Sequence, residues 1–243
     1  MIVPYDVARE RFKGGEFLNS VQRSITLNLK RMMRSNIELG LLFQQHGILF
    51  IHIPKNGGSS VVRAIYGQGI LHHSAQYHNV VHKKEFLDLP TFAIWRDPVA
   101  RFYSAFYFLR DHSTREADRN FANEVYGDFD TPADLAYAIH KDFSLRDRLI
   151  RWSHFLPQID FVCDPHGKIM VDWIGCLDNM SAVASELSTL LGRKVDIGHV
   201  NSGKKVDYFD EEAAKIIRGI YSQDNIIYQK ILRCDNCILK VDC

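Results

Sequence analysis

A glycine-containing loop at residues 54–60, with the sequence PKNGGSS, carries the residue types that bind a phosphate. Adjacent glycines let backbone N–H groups turn toward an anion, and a helix that starts there adds the positive end of its dipole. Lys55 supplies a cation, and Ser59 and Ser60 supply hydroxyl donors. The loop predicts a phosphate site but not a Walker A loop, because its lysine precedes the glycines. The alternative is an ordinary turn that needs glycine for its backbone angles.

A second group of polar residues, RDPVARFYS (96–104), follows the next apolar run. Arg96 comes at the carboxyl end of a predicted strand, where α/β proteins bind ligands. Arg101 and Ser104 are three residues apart on the following helix and therefore share a face. Arg96 and Ser104 could bind a second phosphate, unless the arginine pairs with an acid and the serine only packs. Two anion sites at one sheet edge suit a ligand with two separated phosphate-like groups.

Alternating strands and helices are predicted to position both loops. Residues 47–53 and 91–95 are short apolar runs, typical of buried parallel strands. Helices are predicted at 59–66 and 98–109, the second capped by Asp97 with proline at its first position. The stretch 159–176 predicts a strand, a turn and a second strand. Further helices are predicted at 131–143, 145–155, 179–191, 211–221 and 224–233, so the whole pattern indicates an α/β fold with a parallel sheet flanked by helices.

Composition and charge limit the class of protein and its partners. The chain has 243 residues, of which 46% are hydrophobic and 24% charged, as in globular domains. We expect an N-terminal helical extension at 1–46 and a single domain at 47–243. A net charge of +1 argues against a nucleic-acid partner. The basic helix predicted at 16–36 is either a solvated surface or a contact for acidic glycans or a membrane surface.

The sequence predicts a cytoplasmic protein without a transmembrane segment. Its first residues lack the signal-peptide pattern, and the most apolar window, Ile37–Ile53, is interrupted by polar residues. Cys163 and Cys176 lie in apolar runs and are expected to be reduced core residues. The tail carries three more cysteines, Cys234, Cys237 and Cys243. They lack a fourth zinc ligand at a familiar spacing, so we expect simple thiols, with a redox pair or disulfide as the alternative.

The sequence resembles the sulfotransferases that use 3′-phosphoadenosine 5′-phosphosulfate (PAPS). HIPKNGGSS (52–60) is similar to their 5′-phosphosulfate loop, and RDPVARFYS (96–104) to their 3′-phosphate motif. PQIDFVCDPHGKIMVDWIGCLDNM (157–180) and HVNSGKK (199–205) resemble further stretches of the carbohydrate branch. That branch includes the heparan 2-O-sulfotransferase and the chondroitin or dermatan enzymes, with bacterial relatives. The resemblance implies a P-loop NTPase-like three-layer fold.

The resemblance also implies roles for single residues. The 5′-phosphosulfate would be held by Lys55, Asn56, Gly57, Gly58, Ser59 and Ser60, although Asn56 stands where threonine is common. The 3′-phosphate would be bound by Arg96 and Ser104, and the nucleotide covered by Ser202, Gly203 and Lys204. Lys55 would also neutralise the charge on the leaving phosphate oxygen. Because lysine, arginine and backbone donors supply the positive charge, no metal is required.

The acceptor hydroxyl needs a base, and histidine is the usual choice near neutral pH. His72, His73 and His78 lie between the two phosphate motifs, where the heparan-type relatives carry their catalytic histidine. We favour His73, then His72, with Glu85 as the alternative base. Each of these histidines could instead be a core or surface residue.

The sequence therefore predicts a PAPS-dependent sulfotransferase that releases 3′,5′-ADP and sulfates a hydroxyl of a saccharide or glycoconjugate. The acceptor class follows from the branch of the family alone. Residues that could line an acceptor cleft, or simply be core and surface, are Phe106, Tyr107, Phe108, Arg110, Arg115 and Arg119. One alternative is an ATP- and magnesium-dependent small-molecule or sugar kinase. The other is a non-catalytic nucleotide- or glycan-binding module.

Overall fold

The computed structural model describes residues 35–198 and 210–241. The chain separates into two compact units, with the boundary between Gln45 and His46. Helix α1 covers residues 35–46, and most of the helix predicted at 16–36 lies outside the described residues. No helix in the described part of the chain is both long enough and apolar enough to cross a membrane.

A four-stranded sheet forms the centre of the second unit, in the order β1-β2-β3-β4. The strands are β1 (Leu49–Ile51), β2 (Thr91–Trp95), β3 (Trp173–Cys176) and β4 (Ile238–Lys240). The first three run parallel, with Leu49 opposite Thr91 and Trp95 opposite Cys176. β1 and β2 are buried along their whole length, as expected of parallel strands that are covered on both faces. The predicted α/β class is confirmed, but the sheet is mixed because β4 pairs antiparallel with β3.

Helices connect and flank the strands. Between β1 and β2 lie α2 (Gly58–Tyr66), α3 (Ala75–Val81) and α4 (Lys83–Asp88). Between β2 and β3 lie α5 (Pro98–Tyr107), a π-helix (Phe108–His112), α6 (Glu116–Tyr126), α7 (Pro132–Lys141), α8 (Phe143–Ile150) and α9 (Ile159–Val162). After β3 come a 3₁₀ turn (Leu177–Asn179), α10 (Met180–Leu191), α11 (Glu211–Ile220), α12 (Ser222–Leu232) and a second 3₁₀ turn (Asp235–Cys237). Helices α3, α4 and α6 were not predicted from the sequence.

The stretch 159–176 differs from the predicted strand, turn and strand. Ile159–Val162 is a helical turn, Cys163 and Ile169 form an isolated bridge, and Trp173–Cys176 is the part that joins the sheet. The cause is a distant carboxylate: Asp224 accepts hydrogen bonds from the N–H of Gln158 (2.8 Å) and of Ile159 (3.0 Å). These bonds satisfy the first N–H groups of a helical turn, which local periodicity does not reveal.

The helices after β2 are anchored by a helix cap and by an apolar cluster. Asp97 caps α5 by accepting a hydrogen bond from the N–H of Ala100 (2.8 Å), with proline in the first turn, as predicted. Beyond the cap, α5 packs with α7 and α11 around a buried cluster that includes Phe102, Phe106 and Ile217. This packing fixes the position of α5 and of the loop that precedes it.

The cysteines of the described residues carry free thiols. Cys163 and Cys176 are buried, whereas Cys234 and Cys237 are half-buried. Cys243 lies outside the described residues.

Candidate functional site

The glycine-containing loop joins β1 to α2 and depends on an unusual backbone. Lys55 and Gly57 both adopt positive φ angles, 70° and 73°. A Cβ at Gly57 would come within 2.5 Å of Leu177 Cδ1, and one at Gly58 would overlap the His52 ring. Positive φ is costly for a side chain such as lysine, and strain of this kind concentrates at functional sites. Glycine is therefore required at both positions, where the loop passes into the first turn of α2.

Asn56 attaches the loop to the neighbouring strand. Its side chain is buried and donates hydrogen bonds to the Ile94 carbonyl (2.6 Å) and to Gln158 Oε1 (2.6 Å). The amide thus points into the protein, toward the end of β2. The side chain of Asn56 therefore holds the loop in place. The backbone of Asn56 is the part that is left to contact a ligand at the predicted site.

Gln158 joins the two predicted phosphate motifs. Its Oε1 also accepts a hydrogen bond from the Arg96 N–H (3.0 Å), and its Nε2 donates to the Arg96 carbonyl (2.9 Å). Gln158 is fully buried. No role was predicted for Gln158 from the sequence, although it lies in the stretch 157–180 that resembles the carbohydrate branch.

Arg96 lies directly against the glycine-containing loop. Its Nη1 donates to the Lys55 carbonyl (2.9 Å), and on α5 the Nε of Arg101 donates to the Pro54 carbonyl (3.0 Å). Ser104 is half-buried one turn further along α5. The structure therefore brings the two predicted motifs together at one edge of the sheet.

Positive charge is concentrated at this edge. The Lys55 ammonium lies 3.7 Å from the centroid of the Phe108 ring, a cation–π contact. Burial, followed by the charges of Arg96 and Arg101, lowers the pKa of Lys55 to about 8. Burial also lowers the pKa of Arg96 and of Arg101. Burial is thus the largest cause of all three lowered pKa values, and a bound anion would stabilise the charged form of each residue.

The predicted histidines divide into two groups. His72 Nδ1 lies 2.8 Å from the His52 carbonyl oxygen, and the two rings are 4.0 Å apart. Desolvation lowers the pKa of His72, and the charges of Lys55, Arg101 and Arg115 lower it further, although the residue is exposed. The ring of His72 is thus on the Lys55 side of this segment.

His73 lies in a separate aromatic group. Its ring stacks on Tyr77 at 3.9 Å and lies 5.9 Å from His78, whose Nδ1 is 3.0 Å from that of His82. Burial lowers the pKa of His73, followed by the charges of His82 and His72. Glu85 lies beyond this group on α4.

A further histidine, His154, lies at the site and was not predicted. It is buried, and its ring stacks on Phe108 with centroids 5.1 Å apart. Burial lowers its pKa to about 4, and the charges of Lys55, His72 and Arg101 act in the same direction, while Asp118 opposes them. The stretch 157–180, which resembles the carbohydrate branch, begins just after His154. Only the fold, however, places the His154 ring beside that of Phe108.

Three predicted nucleotide-covering residues, Ser202, Gly203 and Lys204, lie outside the described residues. Within the described part of the chain, Lys55, Asn56, Gly57, Gly58 and Arg96 meet at the end of β1 and β2, with Ser59 and Ser60 in the first turn of α2.

Comparison with known proteins gives one match. A family model described as "Sulfotransferase family" matches residues 41–231, which is more than half of the chain and includes both loops. No curated protein and no solved structure matches the chain.

Proposed function

The chain belongs to the sulfotransferase family, and we propose that it transfers a sulfuryl group from PAPS to a hydroxyl of a saccharide or glycoconjugate. The observation that carries the proposal is the hydrogen bond from Arg96 Nη1 to the Lys55 carbonyl (2.9 Å). It joins two anion-binding elements that the sequence separates by 41 residues. PAPS carries phosphate groups on both sides of an adenosine and so suits two such elements.

The residues of the site fit the charge of this donor. Lys55, Asn56, Gly57, Gly58, Ser59 and Ser60 are proposed to bind the 5′-phosphosulfate through backbone N–H groups, hydroxyls and the ammonium. Arg96 and Ser104 are proposed to bind the 3′-phosphate, and Ser202, Gly203 and Lys204 to cover the nucleotide. The lowered pKa of Lys55 supports this assignment, because it is caused by burial and then by the charges of Arg96 and Arg101, and a bound polyanion would stabilise the charged form of the lysine.

Lys55 is proposed to act on the leaving group. Sulfuryl transfer moves an SO₃ unit between two oxygens in line, so positioning and charge stabilisation supply most of the catalysis, as in phosphoryl transfer. With a pKa of about 8, the Lys55 ammonium is mostly charged at neutral pH. It can therefore neutralise the charge that develops on the phosphate oxygen. These cations make a metal ion unnecessary in the proposal.

A histidine is proposed to take the proton of the acceptor hydroxyl. The sequence favoured His73 and then His72. Of these two, His72 has the better support, because Lys55 lowers its pKa whereas the neighbours that lower the pKa of His73 are His82 and His72. The saccharide class of the acceptor rests on the resemblance to the carbohydrate branch.

Thermal unfolding with three nucleotides tests the donor. We expect 3′,5′-ADP to raise the melting temperature more than 5′-AMP or ATP at the same concentration, because only 3′,5′-ADP places a phosphate at Arg96. Transfer of ³⁵S from labelled PAPS to desulfated chondroitin, dermatan and heparan chains in EDTA then tests the reaction. Strongest stabilisation by ATP with magnesium would identify a kinase. Binding of 3′,5′-ADP without transfer to any chain would indicate a binding module.

A further inference from the structure

A buried carboxylate lies behind the unpredicted histidine. Asp118 is 2% exposed, and two side chains fix its orientation: Ser113 Oγ donates to Oδ2 (2.9 Å) and Trp152 Nε1 donates to Oδ1 (3.2 Å). The same Oδ1 lies 4.0 Å from Nδ1 of His154. Trp152 is itself held by a stack on Phe121 with ring centroids 4.2 Å apart. The carboxylate therefore has a fixed position near the imidazole, at a distance too long for a hydrogen bond.

The ring of Phe108 contacts both the His154 ring and the Lys55 ammonium. The ring of His154 stacks on that of Phe108 at 5.1 Å, and Lys55 Nζ is 3.7 Å from the Phe108 centroid. Phe108 opens the π-helix that follows α5, and π-helical turns are frequent at functional sites. The histidine and the lysine that is proposed to stabilise the leaving group thus both contact Phe108.

The two ring nitrogens of His154 have different surroundings. Nδ1 faces Asp118 and lies 3.3 Å from Ser153 Oγ. The structure shows no hydrogen bond from Nε2 to the described residues, and the His154 side chain is 8% exposed. The charge of Asp118 favours the tautomer with the proton on Nδ1, from which that N–H can donate to Ser153 Oγ, and this leaves the lone pair on Nε2. The charged groups that face the ring are Asp118 from α6, Lys55 and His72 from the loops, and Arg101 from α5.

We propose that His154 is the general base of the transfer and that Asp118 is the residue that positions it. This inference rests on the proposed function. As the acceptor oxygen bonds to sulfur, its proton moves to Nε2 of His154. The bond between sulfur and the bridging phosphate oxygen breaks, and its electron pair stays on that oxygen beside Lys55. Asp118 keeps its negative charge and stabilises the imidazolium, which later releases the proton to solvent.

The choice of His154 over the two predicted histidines follows from their contacts. His72 Nδ1 lies against the His52 carbonyl oxygen, which is uncharged, and His73 stacks on Tyr77. Among the described residues, His154 is the histidine near Lys55 that has a carboxylate beside it. A carboxylate stabilises the charged imidazole that a base becomes, whereas the cations nearby oppose it. Binding of the polyanionic donor would offset those cations and so raise the pKa of His154, which is lowered first by burial and then by the cations.

The first test compares rates in four variants, with ³⁵S transfer from PAPS to the desulfated chondroitin, dermatan and heparan chains. We expect His154→Gln to lower kcat by ~10²–10⁴, the usual contribution of a general base, with unchanged calorimetric affinity for 3′,5′-ADP. Asp118→Asn should lower kcat less and move the acid limb of the pH–rate profile to lower pH, because Asp118 raises the pKa of His154. His140→Gln, on the exposed surface of α7, is the control and should match the wild type. Full activity of His154→Gln together with loss in His72→Gln would overturn the proposal.

The second test needs no acceptor and no folded His154 variant. Long-range ¹H–¹⁵N spectra of the wild type should show His154 with its proton on Nδ1. Addition of 3′,5′-ADP should raise the pKa of His154 and leave that of His140 unchanged, because the phosphates lie near Lys55. Binding of 3′,5′-ADP with no change at His154 would overturn this inference alone. Absence of binding would instead overturn the proposed function.

Discussion

The arginines at the two loops and those on the helical surface differ in what they contact. Arg96 and Arg101 donate to the backbone carbonyls of Lys55 and Pro54, which carry no net charge. On the surface, Arg151 pairs with Asp147 at 2.9 Å, and Arg148 pairs with Glu124 in the same way. A backbone carbonyl orients a guanidinium without neutralising it, although the carboxylates of Asp178 and Asp97 act on Arg96 and that of Asp224 acts on Arg101. The two groups of arginines therefore differ in their hydrogen-bond partners, which are backbone carbonyls at the loops and carboxylates on the surface.

The strongest test of this contrast removes the central cation of the site. Lys55→Ala should lower kcat for sulfuryl transfer by ~10²–10³, as loss of a donor that stabilises a developing oxyanion does. Affinity for 3′,5′-ADP should fall less, because Arg96 and the backbone of the loop remain. Initial rates with labelled PAPS and calorimetry give the two values.

Lys215→Ala is the matched control for this change. Lys215 is 70% exposed and pairs with Glu212 at 3.2 Å on α11, so its loss should leave the rate unchanged. A Lys55→Ala enzyme as fast as the Lys215→Ala enzyme would exclude Lys55 from the mechanism.

A smaller effect is expected from the arginine that links the two loops. Arg96→Ala should weaken 3′,5′-ADP binding by roughly 1.5–3 kcal/mol, the usual contribution of a hydrogen bond to a charged group. Arg151→Ala, which breaks a surface pair, should leave the affinity unchanged. Equal affinities of the two variants for 3′,5′-ADP, measured by calorimetry, would show that Arg96 binds the nucleotide no better than the surface arginine does.

The proximity of the two loops could be predicted from sequence because the residues of each loop are local. The glycines, Lys55 and Arg96 each directly follow a short apolar strand, and parallel strands end at the same sheet edge. The pairing of β1 with β2 then follows from the fold class. Here local pattern and topology are sufficient to place the two motifs side by side.

The remaining features depend on contacts between distant residues. Asp224 starts the turn at Ile159 from 65 positions away, so an apolar stretch that resembles a strand becomes helical. His154 and Lys55 both contact the ring of Phe108. Phe108 lies in a π-helix, which sequence periodicity does not predict. Residue types therefore predicted a histidine base, whereas the position of His154 beside Phe108 requires the tertiary structure.

The uncharged side chain of Gln158 connects the two charged loops. Its removal tests whether the position of the loops depends on this connection. Gln158→Ala leaves the Asn56 amide and the Arg96 backbone without their buried partner. The free energy of unfolding should fall by about 1–3 kcal/mol, the cost of unsatisfied buried groups, as measured by urea denaturation. Gln229→Ala, at an exposed position of α12, should have no such effect. Equal stability of the two variants would mean that the loops keep their register by other contacts.

The smallest expected effect is a change in stability at Lys55. A variant without this lysine should be inactive but more stable than the wild type. The pKa of Lys55 is about 8 in the folded protein and 10.5 in an unfolded chain, so its charged form is disfavoured by folding. Replacement by an uncharged side chain of similar length, Lys55→Met, should therefore increase the free energy of unfolding at pH 7, by on the order of 1 kcal/mol. The measurement is urea denaturation of the inactive variant and of the wild type at several pH values.

The pH dependence decides whether charge is the cause. Between pH 8 and 10.5 the folded wild type binds fewer protons than the unfolded chain, so its stability relative to Lys55→Met should rise through that window. The advantage of the variant should then vanish above about pH 10.5, where the lysine becomes neutral in both states. A constant difference across this range would attribute the gain to packing against Phe108, and the site would no longer differ electrostatically from the surface. A variant that is less stable than the wild type at pH 7 would contradict the lowered pKa of Lys55, whose largest cause is burial.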